Sequence, residues 1–233
     1  MKAEFVAMTA NLKALMERGI SNARTQAEKQ KVRDNYYSMI QFYKEQFTKL
    51  KAKAGPDVLA YSLHMAIDDD IEKSRAQSPD DWAEVSCRKS CSHCCHAPVQ
   101  VVESEAELLI AYAGANKIEI DWTLVREQDG FKGSDTEYFL LPKHKNKCVF
   151  LSGIGECRVY EHRPASCRKY FVVSPAEQCD ARNGDRTVLN ITSLDAEGKT
   201  SGFMDMDHSK VGLLPTMLLQ ASRKILKEKG LNA

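Results

Sequence analysis

The sequence predicts a mainly α protein with a small β-hairpin, an α+β arrangement in which a helical N-terminal half precedes a cysteine-cluster region. Three observations predict it. Residues 1–86 hold no cysteine and are rich in Ala, Lys, Glu and Gln. Apolar residues in that half recur at spacings of three and four, the period of one helix face. All eight cysteines fall from Cys87 to Cys179, four of them as Cys87, Cys91, Cys94 and Cys95, C-x3-C-x2-C-C.

From Gln30 to Lys53 the apolar positions are Val32, Tyr36, Met39, Ile40, Tyr43, Phe47 and Leu50, one face of a helix that Gly55-Pro56 ends. A second helix is expected from Asp57 into the 70s. Ser78-Pro79-Asp80-Asp81 marks a third start, with Ser as N-cap, Pro at the first position and acids in the first turn. The acidic run Asp68-Asp69-Asp70 with Glu72 reads as a solvated helix face, because three consecutive helix positions point in different directions. Ser104-Glu105-Ala106-Glu107 reads as a capping box opening Leu108 to Ala113, closed by Gly114. Asp121 caps a short helix ending near Gly130.

The stretch from Tyr138 to Leu151 is extended in character. Cys148 and Cys157 flank a hairpin with glycines at its turn. Arg163-Pro164 permits a short helix carrying Cys167, and Ser174-Pro175-Ala176-Glu177 repeats a cap signature before Cys179. A strand is expected over Arg186 to Leu194. Pro215 starts an amphipathic helix with Met217, Leu218, Ala221, Ile225 and Leu226 on one side and Gly230 after it. The organisation expected is a helical region over 1–86, a cysteine-cluster domain over 87–182, and a strand with a closing helix over 183–233, one compact unit with the rest.

At 233 residues the chain can bury a core without covalent staples. No apolar run at its start has signal-peptide length, and none reaches the roughly 20 residues of a membrane span. The reading is therefore a cytoplasmic protein with no membrane partner. There, eight clustered cysteines argue for thiolate ligation of metal rather than for disulfides. A secreted disulfide domain is the alternative, with 105 connectivities open, and on the cytoplasmic reading the Asn190-Ile191-Thr192 sequon is chance. The formal net charge of +1 draws the chain to no nucleic acid.

Thiolates select Zn, Cu(I) or iron-sulfur clusters. The candidate ligands are Cys87, Cys91, Cys94, Cys95, Cys148, Cys157, Cys167 and Cys179, enough for two four-sulfur sites or for one site and spare cysteines. The region would then be metal-stabilised. Vicinal Cys94 and Cys95, if extended, point to opposite faces, so that one of them faces a different metal or role. His93, His96, His144 and His162 lie near cysteines and read individually as exposed or hydrogen-bonded. Arg88, Lys89, Lys143, Lys145, Lys147, Arg158, Arg163, Arg168 and Lys169 are near enough in sequence to offset thiolate charge.

Two stretches, Cys91-Ser-His-Cys94-Cys95 and Cys148-Val-Phe-Leu-x5-Cys157-Arg-Val-Tyr-Glu-His-Arg163-Pro164-Ala-Ser-Cys167-Arg168, resemble the YkgJ-type cysteine-cluster family, also described as the CxxCxxCC putative zinc- or iron-chelating domain. The resemblance runs from about Cys87 to Cys179. The chain departs from the pattern by placing Cys87 four positions before Cys91 and Ser92 where the family often has glycine. Metal chelation is what the resemblance implies, with zinc or an iron-sulfur cluster as cofactor, and it assigns no catalytic residue.

The function expected is a metal-binding cysteine-cluster protein, with a protein partner left open. The alternative is an iron-sulfur enzyme, including S-adenosylmethionine-dependent modification of a protein side chain, to which the spacing Cys87-x3-Cys91-x2-Cys94 corresponds. Against that alternative, the sequence after Cys94 lacks the repeated strand-helix pattern of a (β/α) barrel. A thiol-disulfide redox role for Cys91-x2-Cys94 lacks its βαβ context.

Overall fold

The computed structural model describes residues 8–88, 90–180, 182, 188–206 and 210–230. Lys89 and the first two residues of the strand expected from Arg186 lie outside them. Eleven α-helices and two antiparallel strand pairs make up the described residues, which bears out the mainly α class.

Helix α1, Ala10–Asn22, starts at Thr9, whose hydroxyl accepts the Leu12 N–H. Helix α2, Gln26–Lys51, opens with a capping box between Thr25 and Glu28 and buries Ile40 and Phe47 along the face read from the sequence. Gly55-Pro56 ends that run and starts α3, Pro56–Gln77, with Pro at its first position. The short α4, Pro79–Ala83, delivers the chain to the first cysteines.

The acidic run on α3 is only in part a solvated face. Asp69 and Glu72 are exposed, but Asp70 is buried against Lys199 at 2.6 Å, and Asp68 meets the buried guanidinium of Arg168. Successive helix positions do point apart, and two of them point at cations on neighbouring elements.

Strand β1, Gln100–Val102, leads into α5, Glu103–Ala115. The helix begins one residue before the expected Ser104 cap, and it is the Glu105 carboxylate that accepts the Val102 N–H, at 3.2 Å. Asp121 accepts from Thr123 and Leu124 N–H and caps α6, Trp122–Asp129, as expected. The next stretch is not extended. It forms α7, Asp135–Leu140, and α8, Lys143–Asn146. Ser134 and Glu137 make a capping box that starts α7, and this local closure outweighs the strand propensity of Tyr138 and Phe139.

After α9, Ala165–Arg168, strand β2, Phe171–Val172, pairs with β3, Asn190–Ile191. Helix α10, Leu194–Met206, had no counterpart in the sequence reading. It packs on α2 through Gly198 and Gly202. A Cβ on Gly202 would stand 2.7 Å from the Lys44 nitrogen and 2.9 Å from the Ile40 carbonyl oxygen, so only glycine allows this approach. Strand β4, Val211–Leu213, pairs with β1, and α11, Leu214–Glu228, closes the fold with Met217, Leu218 and Ala221 buried.

Strand alternation in β1 divides the interior. Val101 enters a core with Leu109, Phe150, Met217 and Leu218, whereas Val102 enters a second core with Leu63, Ile67, Ala165 and Phe203. Buried ion pairs accompany these cores, among them Lys169–Glu197 at 2.6 Å. Among the described residues no helix is long and apolar enough to cross a membrane.

Candidate metal centre

Three segments carry the cysteines into one neighbourhood. The first descends from α4. Ser86 donates its N–H to the Val172 carbonyl at 2.9 Å and its hydroxyl to the Ser174 carbonyl at 2.6 Å, pinning the residue before Cys87 beside β2. The Cys91 N–H closes a turn on the Arg88 carbonyl, with Ser90 at a left-handed φ of 65°. A 3-10 helix, His93–His96, follows and holds Cys94 and Cys95.

The second segment is the turn from Cys148 to Cys157. The Cys148 N–H donates to the Cys95 carbonyl at 2.6 Å, joining the two segments directly. The expected hairpin is reduced to one bridge, Leu151 with Cys157, made by Ser152 N–H on the Glu156 carbonyl at 2.8 Å and Arg158 N–H on the Phe150 carbonyl at 2.9 Å, while Val149 and Phe150 turn into the core. Gly155, at φ +80°, lets the tip lie on the first segment, where a Cβ would meet the Ser90 carbonyl oxygen at 3.3 Å.

The third segment is α9, carrying Cys167 after the Arg163-Pro164 step as the sequence predicts. Glu105 accepts the Ala165 N–H at 2.7 Å and also lies 2.9 Å from His64 Nε2. Arg168, the last residue of α9, reaches Asp68, the Arg163 carbonyl and the Glu161 carbonyl. The helix that presents Cys167 is thus tied at one end to Glu105 of α5 and at the other to Asp68 of α3. Sequence reading missed the roles of Glu105 and His64 here, since Glu105 stood there only as part of a capping box.

The thiols act on one another electrostatically. Cys94 raises the thiol pKa of Cys87, Cys95, Cys148, Cys157 and Cys167, and Cys91 raises that of Cys87. Burial is the largest cause for Cys87, Cys157, Cys167 and Cys148, the last pushed up to about 12. For Cys95 the thiol hydrogen bond with Cys94 comes first. Seven cysteines therefore share one neighbourhood. The eighth, Cys179, is buried in a 3-10 helix, Ala176–Cys179, that packs against His93–His96.

Cys94 and Cys95 do not sit in an extended segment. Their 3-10 turn lets the two thiols bond to each other instead of pointing to opposite faces. Of the histidines, His96 pairs through Nδ1 with Asn146 at 2.9 Å, His144 is exposed, and the His162 ring lies 4.3 Å from that of Tyr112. None of the eight cysteines forms a disulfide.

Among the described residues no group of three or more His, Cys, Asp or Glu side chains is already drawn together to hold a metal ion. The chemistry of the donors nonetheless fits one. Sulfur is the most numerous donor type here, it comes from three separate segments, and soft metals prefer it.

Such a helical fold with thiols from three segments in one neighbourhood defines a cysteine-cluster protein of sulfur-donor type. Residues 86–188 match the family described as CxxCxxCC, putative zinc- or iron-chelating domain, and the resemblance read from the motifs is borne out over that span. No curated protein and no solved structure matches the chain.

Proposed function

We propose that the chain is a metal-binding protein in which Cys87, Cys91, Cys94, Cys95, Cys148, Cys157 and Cys167 chelate a thiophilic centre, zinc or an iron-sulfur cluster, with Cys179 adjoining it. The observation that carries this reading is the shared neighbourhood of seven thiols drawn from three segments. Bound metal would supply a cross-link between those segments, contributing to folding as structural zinc does. The protein's own residues prepare the place. Ser86 anchors the first segment, the Cys148–Cys95 backbone bond joins the second, and Glu105 holds the third. Because burial holds the Cys148 and Cys167 thiols protonated, loading at these two sulfurs releases protons as sulfur exchanges hydrogen for metal.

We infer a cytoplasmic location, where thiols stay reduced. The enzyme alternative has less support. The strands of the described residues pair antiparallel in twos, whereas a (β/α) barrel needs parallel strands alternating with helices.

Replacement of single ligands tests the assignment. Cys157→Ser and Cys167→Ser should each lower the metal content of the purified protein severalfold and lower its thermal midpoint. Full metal content in both variants would refute the ligand set.

A further inference from the structure

Two arginines beside the thiols keep donors unspent. The Nε–H groups of Arg158 and Arg163 are buried and without a hydrogen-bond partner. Both guanidinium groups are otherwise held in place. Arg158 Nη2 donates to the Val149 carbonyl at 2.6 Å, and Arg163 lies 4.0 Å above the ring of Tyr160. Arg158 follows Cys157 directly, and Arg163 precedes the helix of Cys167.

Arginine does not shed its charge, and a buried N–H without an acceptor is costly. Two such groups beside one thiol neighbourhood point to an acceptor that arrives when the centre is formed. The charges also lie within electrostatic reach of the thiols. Arg163 favours the thiolates of Cys87 and Cys157, and Arg158 those of Cys148 and Cys157. Three of the other bases near the cysteines are paired elsewhere: Arg168 with Asp68, Lys169 with Glu197 and Lys143 with Asp180.

We propose that the Nε–H groups of Arg158 and Arg163 donate to metal-bound sulfur, so that this guanidinium pair neutralises an anionic metal-thiolate centre. The proposal rests on the chelation reading above. Four thiolates around a divalent zinc carry about two negative charges, which two guanidinium groups offset. Each thiol gives its proton to solvent as its sulfur binds the metal, and no electron is transferred. The arginines then supply what lysine cannot do equally well, a planar donor fixed in direction by stacking or by a second hydrogen bond.

The test uses the full-length protein with zinc and cobalt(II) as probes. Zinc affinity is read by competition with a chromophoric chelator, and the sulfur-to-cobalt charge-transfer band reports the electronic state of the bound sulfur. Arg163→Met and Arg158→Met should each weaken zinc binding by about tenfold or more and shift the cobalt band. Arg163→Lys should recover part of the affinity. Far-UV circular dichroism of the metal-free variants separates these effects from misfolding, and if one Met variant does not fold, the other and Arg163→Lys decide. Wild-type affinity and an unshifted band in the folded variants would overturn the proposal, as would Arg163→Lys behaving like Arg163→Met. A wild-type protein that binds neither probe nor iron would instead remove the chelation reading itself.

Discussion

Glu105 is only 3 % exposed and receives two backbone N–H groups, from Val102 and Ala165, while contacting His64. Its removal leaves buried donors on three elements without an acceptor. Glu105→Leu should therefore cost about 3 kcal/mol of stability, read from urea unfolding of the metal-free protein. A loss under about 1 kcal/mol would show that the network holds α9 in place weakly. The sequence showed Glu105 beside an apolar run, which suits a surface cap as well as a buried acceptor. Only the packing of α3 and α9 over it separates the two roles. The same limit applied at Cys94 and Cys95, where spacing identified the donors but the 3-10 turn, closed by the Cys95 N–H on the Ser92 carbonyl, set their directions.

At the scale of elements, helices with a marked stripe and clear stops were legible: α2 from its face and Gly55-Pro56, α6 from Asp121, α11 from Pro215 and Gly230. Helix α10 was not. Its Gly198, Thr200, Ser201 and Gly202 are poor helix formers that make sense only against the surface of α2. In α7 and α8 aromatic and aliphatic residues suggested a strand, although Ser134 and Glu137 carried the cap signal three residues apart. Caps of this kind are pH-sensitive. At the start of α2 the Glu28 carboxylate accepts N–H groups from Arg24 and Thr25, and these bonds hold its pKa below the usual carboxylate range. A lowered folded pKa gives a contribution that is complete above the unfolded pKa and lost as pH falls through the folded one. Amide exchange at Arg24 and Thr25, corrected for intrinsic rates, should therefore accelerate in acid, with Glu28→Gln fast at every pH. Equal protection in the variant at neutral pH would contradict the role of the cap.

Across the whole molecule, the cysteine segments are built into a shared interior rather than suspended from it. Cys148 and Cys157 pack against the core of α5, α6 and α11, and Ala165, two residues before Cys167, lies in the core of α2, α3 and α10. The motif spacing made the donors legible, and the family match over 86–188 agrees with it. Which cations would serve the centre was not legible, because sequence proximity places nine bases near cysteines and the fold diverts the buried Arg168 and Lys169 into ion pairs with Asp68 and Glu197. The most direct test of the central claim is elemental analysis of protein purified without oxygen, with zinc, iron and acid-labile sulfide counted per chain beside the visible spectrum. The account predicts stoichiometric zinc in a colourless protein, or iron with sulfide in a brown one. Protein that is folded, fully reduced at its cysteines and free of both metals, even after incubation with them, would contradict it.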